Sequence, residues 1–149
     1  MKSNIYTLII FFATIFVVAS CENETWNSMP SAVTEFFTTY FPGQEVNSYS
    51  KSTEGSTASV KGGVSVTFNS DNTWIDVNGN GSALPSVLLY DQLPQKLYKY
   101  LLETESTDGV YRITRNSLSY HVELKDTYVD YDIKTGVIDY PAADGQNAA

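Results

Sequence analysis

The single histidine of the chain, His121, lies two positions from Ser119 and two positions from Glu123. A serine nucleophile, a histidine base and an orienting acid are the groups of acyl-transfer catalysis, so this triplet is the first candidate for chemistry. The three residues alternate along one predicted strand, where side chains on one face are roughly 6–7 Å apart. That distance is too long for a hydrogen bond between nucleophile and base. The chain also contains no G-x-S-x-G, phosphate-binding or metal-binding helix motif. We expect a non-catalytic protein without a cofactor.

A second candidate is a loop rich in oxygen ligands. Asp76, Asn78 and Asn80 fall at positions 1, 3 and 5 of a calcium-binding loop. Gly81 falls at position 6, but position 12, which holds a bidentate Glu in such loops, is Val87. The loop therefore lacks its strongest ligand. The sequence favours a turn rich in Asn and Gly and leaves a weak calcium site as the alternative.

The only cysteine, Cys21, follows a hydrophobic N-terminal segment. Residues 5–18 form an uncharged and mostly apolar run, which is shorter than the ~20 residues of a spanning helix and typical of a secretory signal. The small residues Ala19 and Ser20 precede the cysteine, as in a bacterial lipobox. The pattern predicts a lipoprotein signal peptide over residues 1–20, lipidation of Cys21, and anchoring in the outer membrane on its periplasmic side or surface. An ordinary signal peptide and an uncleaved N-terminal anchor are the alternatives.

Composition excludes several further functions. The 149 residues include 17 acidic and 9 basic side chains, which gives a formal net charge of −8. This length fits one domain or two small repeats. The acidic balance argues against nucleic-acid binding, because the phosphate backbone would be repelled. One cysteine excludes an intramolecular disulfide and leaves a Cys/His zinc site with two candidate ligands.

The elements that must position these residues follow from hydrophobic periodicity. In the first half, a helix is expected after Pro30, with apolar residues at i, i+3, i+4 and i+7. Period-two patterns then predict strands at 46–51, 57–61, 64–68 and 74–77. In the second half, helices are expected after Pro85 and Pro94, followed by strands at 110–114, 117–124, 127–133 and 137–140.

The two halves match in sequence. The hairpin residues 66–69 and 74–77 match 129–132 and 137–140 at a shift of 63, whereas Met29-Pro30 matches Leu93-Pro94 at 64, which implies one inserted residue. Such repetition indicates a duplicated helix-plus-sheet unit, and chance similarity of two generic stretches is the alternative. The expected organisation is a tether over 21–28, a first repeat over 29–80, a second over 81–140 and a flexible tail over 141–149.

Alternation in the second repeat separates two sheet faces. The side expected to pack on the helices carries Tyr120, Val122, Leu124, Val129 and Tyr131. The opposite side carries a set of polar and charged residues, namely Arg112, His121, Glu123, Tyr128, Asp130 and Asp132. Tyrosine among charges suits protein recognition, because it supplies contact area and a hydrogen bond at low entropy cost. An ordinary solvated face, or a divalent-cation site on the acids, are the alternatives.

Helix and turn motifs in the first half point to a family. The helix that opens with Met29-Pro30 and closes with Tyr40-Phe41-Pro42, and the turn before Trp74, together with the lipobox, resemble the PepSY-like lipoproteins of Bacteroidetes. The resemblance covers roughly residues 28–140. The chain departs from the family pattern at Asn72 or Thr73, where a turn glycine is common, and at residues 103–105, where the second helix lacks an aromatic-Pro ending.

The resemblance implies an α+β fold of two tandem PepSY-like repeats, with helices on one face of an antiparallel sheet, as in the beta-lactamase-inhibitor-like fold. It also implies an exported binding or inhibitory module and carries over no catalytic residues. We therefore expect a lipid-anchored binding protein that contacts the membrane through its anchor and recognises a protein partner. A structural or envelope-maintenance lipoprotein without a ligand, and a small-molecule or calcium binder, are the alternatives.

Overall fold

The computed structural model describes residues 24–141, so the signal peptide, Cys21 and tail residues 142–149 lie outside the described residues. The described chain runs through two similar series of helices followed by strands. In order, the elements are α1 (Glu24–Ser28), α2 (Ser31–Tyr40), β1 (Val46–Lys51), β2 (Gly55–Val60), β3 (Ser65–Asn69), β4 (Trp74–Asn78), α3 (Ser86–Gln92), α4 (Gln95–Glu103), a 3₁₀ turn (Thr107–Gly109), β5 (Val110–Arg115), β6 (Ser119–Leu124), β7 (Tyr128–Asp132) and β8 (Ile138–Asp139).

The strands form one eight-stranded sheet in chain order, β1 to β8, and every neighbouring pair is antiparallel. The helices and the alternate strand residues that point toward them share a single hydrophobic core. The expected α+β class is therefore confirmed, with the second face of the sheet open. Val77 of β4 pairs with Ile113 of β5, and this pairing joins the two series into one sheet.

Proline residues set the helix starts. Pro30, Pro85 and Pro94 each occupy the N-cap position, with ψ angles of 148°, 138° and 137°. Each proline therefore lies one residue before the helix rather than in its first turn. The cost is small because proline has no backbone N–H to leave unpaired at a helix start. The carbonyl of Pro30 still accepts the N–H of Thr34 at 3.1 Å, which begins the ladder of α2.

The β3–β4 turn shows how the sequence compensates for a missing glycine. Asn72 adopts a φ of +58°, the left-handed conformation that Asn tolerates best after Gly. The side-chain oxygen of Asn69 accepts the backbone N–H groups of Asp71 and Thr73, at 3.0 and 2.9 Å. The departure at Asn72 therefore leaves the hairpin intact.

Element bounds recur at a constant spacing. The strands β5 and β6 begin and end 64 residues after β1 and β2, whereas β7 begins and ends 63 residues after β3. The difference of one residue falls in the turns at residues 61–64 and 125–127. A bulge also recurs at matched positions, between Val46 and Ser48 on β1 and between Val110 and Arg112 on β5.

The last strand breaks this correspondence. The sequence predicts a strand over residues 137–140, but β8 spans two residues, and Val137 and Tyr140 are 57% and 56% exposed. Their matched residues on β4, Trp74 and Val77, are buried. The reason is position, because β4 is paired on both sides whereas β8 forms the edge of the sheet.

The predicted tether contains structure. Residues 24–28 form α1, which packs against β1, and Trp26 lies partly buried against the core. A helix of five residues is too short to give a periodic signal, so the sequence did not predict it. Within residues 24–141, no helix is long and apolar enough to cross a membrane.

Candidate functional site

The open face of the sheet carries a continuous polar row. The row consists of cross-strand neighbours on all eight strands, one residue from each, namely Ser50, Thr57, Thr67, Asp76, Thr114, His121, Asp130 and Asp139. A parallel row runs beside it through Ser48, Ser59, Ser65, Asn78, Arg112, Glu123 and Tyr128. The first three strands contribute hydroxyl groups to these rows, and the charged groups lie on β4 to β8.

The charged residues of the two rows contact one another on β4 to β7. We call six residues there the charged cluster, namely Asp76, Arg112, His121, Glu123, Tyr128 and Asp130. Nε and Nη2 of Arg112 donate to the two carboxylate oxygens of Asp76 at 3.0 and 2.7 Å. Nη1 of Arg112 lies 3.5 Å from Glu123. The hydrogen bond to Asp76 is the main cause that raises the pKa of Arg112, so the guanidinium remains charged.

His121 lies between two carboxylates. Its Nδ1 is 2.6 Å from Oδ1 of Asp130, and its Nε2 is 4.0 Å from Oε1 of Glu123. The ring of Tyr128 lies beside the imidazole, with centroids 5.1 Å apart. The serine of the Ser-His-Glu triplet, Ser119, directs its hydroxyl to Oδ1 of Asn116 at 3.4 Å. Both ring nitrogens of the histidine thus face acids, which is an arrangement for orienting the ring.

Asp132 belongs to a turn and not to the charged cluster. Its Oδ1 accepts the backbone N–H and the hydroxyl of Thr135, at 2.6 and 2.7 Å. These bonds favour the ionised form, and the backbone bond is the largest cause that lowers the pKa of Asp132 below its ordinary value of 3.8. The sequence placed Asp132 on the correct face but could not show that the turn would engage it.

We expect the charge of Asp132 to contribute stability that is lost in acid. A carboxyl whose pKa is lower in the folded than in the unfolded state stabilises the fold above its ordinary value of 3.8, and that contribution disappears as the pH falls through the folded-state pKa. Asp132→Asn should therefore flatten the decline in urea midpoint below about pH 4. Asn69, 63 positions earlier, already closes the β3–β4 turn with its amide oxygen, so the variant keeps the acceptor. An unchanged acid decline would contradict this role.

The residues of the calcium-like loop have other partners. Both carboxylate oxygens of Asp76 bind Arg112. The side-chain oxygen of Asn78 accepts the N–H of Asn80 at 2.8 Å, and the Asn80 amide donates to the carbonyl of Gly63 at 2.7 Å. Asp76 and Asn78 are on β4 and not in a loop. Among residues 24–141, no group of three His, Cys, Asp or Glu side chains could hold a metal ion.

A tyrosine-lined cleft opens beside the end of β8. Its volume is about 490 Å³, and its lining includes Tyr100 of α4, Tyr128 of β7 and Tyr140. The rings of Tyr100 and Tyr140 stack with centroids 5.9 Å apart, at an angle of 25°. Burial, and then the neighbouring Tyr140, raises the pKa of Tyr100, so its phenol remains protonated. We call this feature the tyrosine cleft. The sequence did not predict it, because its tyrosines come from three separate elements.

Comparison with known proteins gives the fold. No family model and no curated protein matches the chain. Three crystal structures match with TM-scores of 0.63, 0.63 and 0.62, at 24%, 22% and 22% identity. The chain shares their fold. Each alignment covers 78% of this chain and 93%, 93% and 94% of the respective structure.

The three structures come from two Bacteroides species. The first is a Bacteroides vulgatus protein described as periplasmic and placed in the DUF2874 family. The second, from Bacteroides thetaiotaomicron, is described as calcium-regulated and periplasmic. The third, from Bacteroides vulgatus, is described as periplasmic and of unknown function. Their agreement in fold across most of each chain establishes the α+β architecture, and these descriptions concern those proteins alone.

Proposed function

We propose that this protein is an exported, non-catalytic binding module of two tandem PepSY-like repeats, anchored by lipid on Cys21, whose charged cluster engages a protein partner. Export and anchoring rest on the N-terminal apolar run and the small residues before Cys21. The periplasmic descriptions of the three structures of like fold support the same compartment. Anchoring would place the open face in the cell envelope.

Support for two repeats comes from the recurrence of strands and bulges at 63 or 64 residues. The same spacing relates α1 to the last five residues of α3, and the break before α2 to the break before α4. In this interpretation the first repeat begins at α1, and residues 24–28 belong to the repeat instead of a tether. Each repeat then consists of two helices separated at a Met-Pro or Leu-Pro pair, followed by four strands.

The difference between the repeats on the open face carries the functional proposal. At the positions of five members of the charged cluster, Arg112, His121, Glu123, Tyr128 and Asp130, the first repeat has Ser48, Thr57, Ser59, Ser65 and Thr67. Thr57 and Thr67 form a hydrogen bond of 3.2 Å where the second repeat has its His–Asp pair. Because the same backbone forms with hydroxyl residues, folding does not require the charges, and recognition is the role that we assign to them.

The chemistry of the cluster indicates the kind of partner surface. Three carboxylates accompany one guanidinium and one imidazole, on paired strands that hold them rigidly. Tyr128, 41% exposed, adds aromatic contact area. A partner with basic groups flanking an acceptor for Arg112 would complement this pattern, and charge complementarity sets the specificity of such an interface.

The test replaces the charged residues with those of the other repeat. The five changes Arg112→Ser, His121→Thr, Glu123→Ser, Tyr128→Ser and Asp130→Thr preserve β-compatible side chains. Capture from envelope extract with the lipidated wild-type chain should enrich a partner, and the five-residue variant should lose at least about nine-tenths of it, since two contacts of ~1.4 kcal/mol would reduce affinity a hundredfold. The matched control, Thr57→Ala with Thr67→Ala, should retain the partner.

Two outcomes would contradict the proposal. If the five-residue variant retains its partner, the open face is not the binding site. If no protein is enriched by the wild-type chain, a structural envelope lipoprotein without a ligand is the better description. Circular dichroism of the variants would establish that loss of the partner does not reflect unfolding.

We do not extend calcium regulation to this chain. One structure of similar fold is described as calcium-regulated. In this chain the first residue of the loop, Asp76, is held by Arg112 through both carboxylate oxygens. Calcium would have to displace a bidentate ion pair before it could bind there, and position 12 offers Val87.

A further inference from the structure

The strand β8 leaves one edge of the sheet open. The N–H of Asp132 donates to the carbonyl of Val137 at 3.0 Å, which closes the β7–β8 turn. Backbone groups alternate in direction along an antiparallel strand, so Val137 and Asp139 face β7. Ile138 between them therefore directs its N–H and carbonyl away from the sheet. At the opposite edge, α1 packs against β1.

The side chains of β8 extend two surfaces to this edge. Ile138 packs against the core and Tyr140 stacks on Tyr100, so both lie on the helix side, beside the tyrosine cleft. Asp139 is exposed on the open face. A strand added here would meet apolar side chains on one face and an acid on the other. In the first half of the chain, β5 occupies the corresponding place beside β4.

Charge along the polar row indicates which residue an added strand should carry. Asp139 is the direct cross-strand neighbour of Asp130, and like charges in that relation are destabilising. Asp130 is compensated on its other side by His121, at 2.6 Å. The other side of Asp139 is the open edge, so a cation placed there would complete an alternation of charge along the row.

We propose that β8 accepts an extended segment of a partner protein as a ninth strand, with a Lys or Arg beside Asp139 and apolar residues beside Ile138 and Tyr140. Addition of a strand to a sheet edge supplies affinity through backbone hydrogen bonds and specificity through alternate side chains. A second copy of this chain fits less well. Symmetric pairing of two β8 strands would bring their Asp139 residues together, on chains that each carry a formal charge of −8. Strand addition at β8 does not depend on the charged cluster.

The experiment uses the full lipidated chain in detergent and a fluorescein-labelled ten-residue peptide that alternates Lys with Val. Fluorescence anisotropy should detect binding. A peptide with N-methyl groups on alternate residues, and the variant Ile138→Pro, should each weaken binding about tenfold, the effect of one lost hydrogen bond. The proline removes an outward N–H and leaves the ladder to β7 intact. Asp139→Lys should reverse the preference, so that a Glu-Val peptide binds better than the Lys-Val peptide.

Three results would overturn strand addition at β8. They are absence of peptide binding, equal binding of the N-methylated peptide, and an unchanged preference in Asp139→Lys. Self-association in sedimentation that Ile138→Pro abolishes would assign the edge to a second copy instead. The Arg112→Ser variant should bind the peptide as the wild type does, so failure of the charged-cluster proposal and failure of strand addition are distinguishable.

Discussion

Replacement of Trp74 by alanine is expected to lower the free energy of unfolding by about 3–5 kcal/mol, the usual cost of removing a buried tryptophan. Trp74 is 3% exposed, and its ring contacts Phe36 of α2 and Tyr120 of β6, with centroids 6.5 and 6.3 Å away. The guanidinium of Arg115 lies 3.9 Å from the ring centroid. Since whole domains are stable by about 5–15 kcal/mol, the loss would be a large fraction of the total. Urea unfolding followed by circular dichroism measures it.

Two further variants divide the effect of Trp74 into packing and hydrogen bonding. The indole Nε1 donates to the amide oxygen of Gln92 at 2.6 Å, and the Gln92 amide donates to the hydroxyl of Tyr40 at 2.6 Å. Trp74→Phe keeps most of the ring volume but leaves the Gln92 oxygen unpaired, so we expect a loss of about 1–3 kcal/mol. Tyr90→Ala, on the exposed side of α3, should cost less than about 1 kcal/mol. A loss from Trp74→Ala no larger than that of Tyr90→Ala would contradict the packing role.

Replacement of Cys21 by serine is expected to abolish membrane anchoring completely. The hydroxyl cannot take up the diacylglyceryl group through a thioether, and each acyl methylene buried in the bilayer contributes about 0.8 kcal/mol. Without acyl chains, the described part of the protein offers no spanning helix to replace them. Labelling with an alkynyl fatty acid, followed by fractionation of envelope and soluble proteins, measures both the modification and the location.

The matched control for this variant keeps a small residue before the cysteine. Ser20→Ala preserves the approach of the signal peptidase and should leave lipidation and fractionation unchanged. If Cys21→Ser remains in the membrane fraction, the protein is held by its uncleaved N-terminal segment or by another component. If the wild type carries no label, Cys21 is an incidental residue of an ordinary secretory signal.

The two experiments address different parts of the proposed protein. The tryptophan variant tests whether the two halves form a single packed unit, because Trp74 of the first half contacts Tyr120, Arg115 and Gln92 of the second. The cysteine variant tests where that unit is held. Recognition through the charged cluster or the β8 edge requires both, since a rigid sheet at the envelope is what would present these surfaces to a partner.

Local sequence was sufficient to predict the elements and the separation of the sheet faces. The helix starts follow from proline chemistry at Pro30, Pro85 and Pro94, and most strand bounds from period-two alternation, because both signals act within a few residues. The pairing of His121 with Asp130 also follows from local information, since one short turn sets the register of β6 and β7.

Only the tertiary structure decided which polar groups meet across larger separations. Arg112 meets Asp76 through the β4–β5 pairing, whose register depends on how α3 and α4 pack between those strands, and no local pattern specifies that. The same holds for the tyrosine cleft, which joins α4 to β7 and β8. Val137 and Tyr140 are exposed although they match the buried Trp74 and Val77, because burial depends on whether another strand follows in the sheet. The sequence by itself determined the repeated pattern of elements, and the packed sheet determined which side chains form a site and which edge stays open.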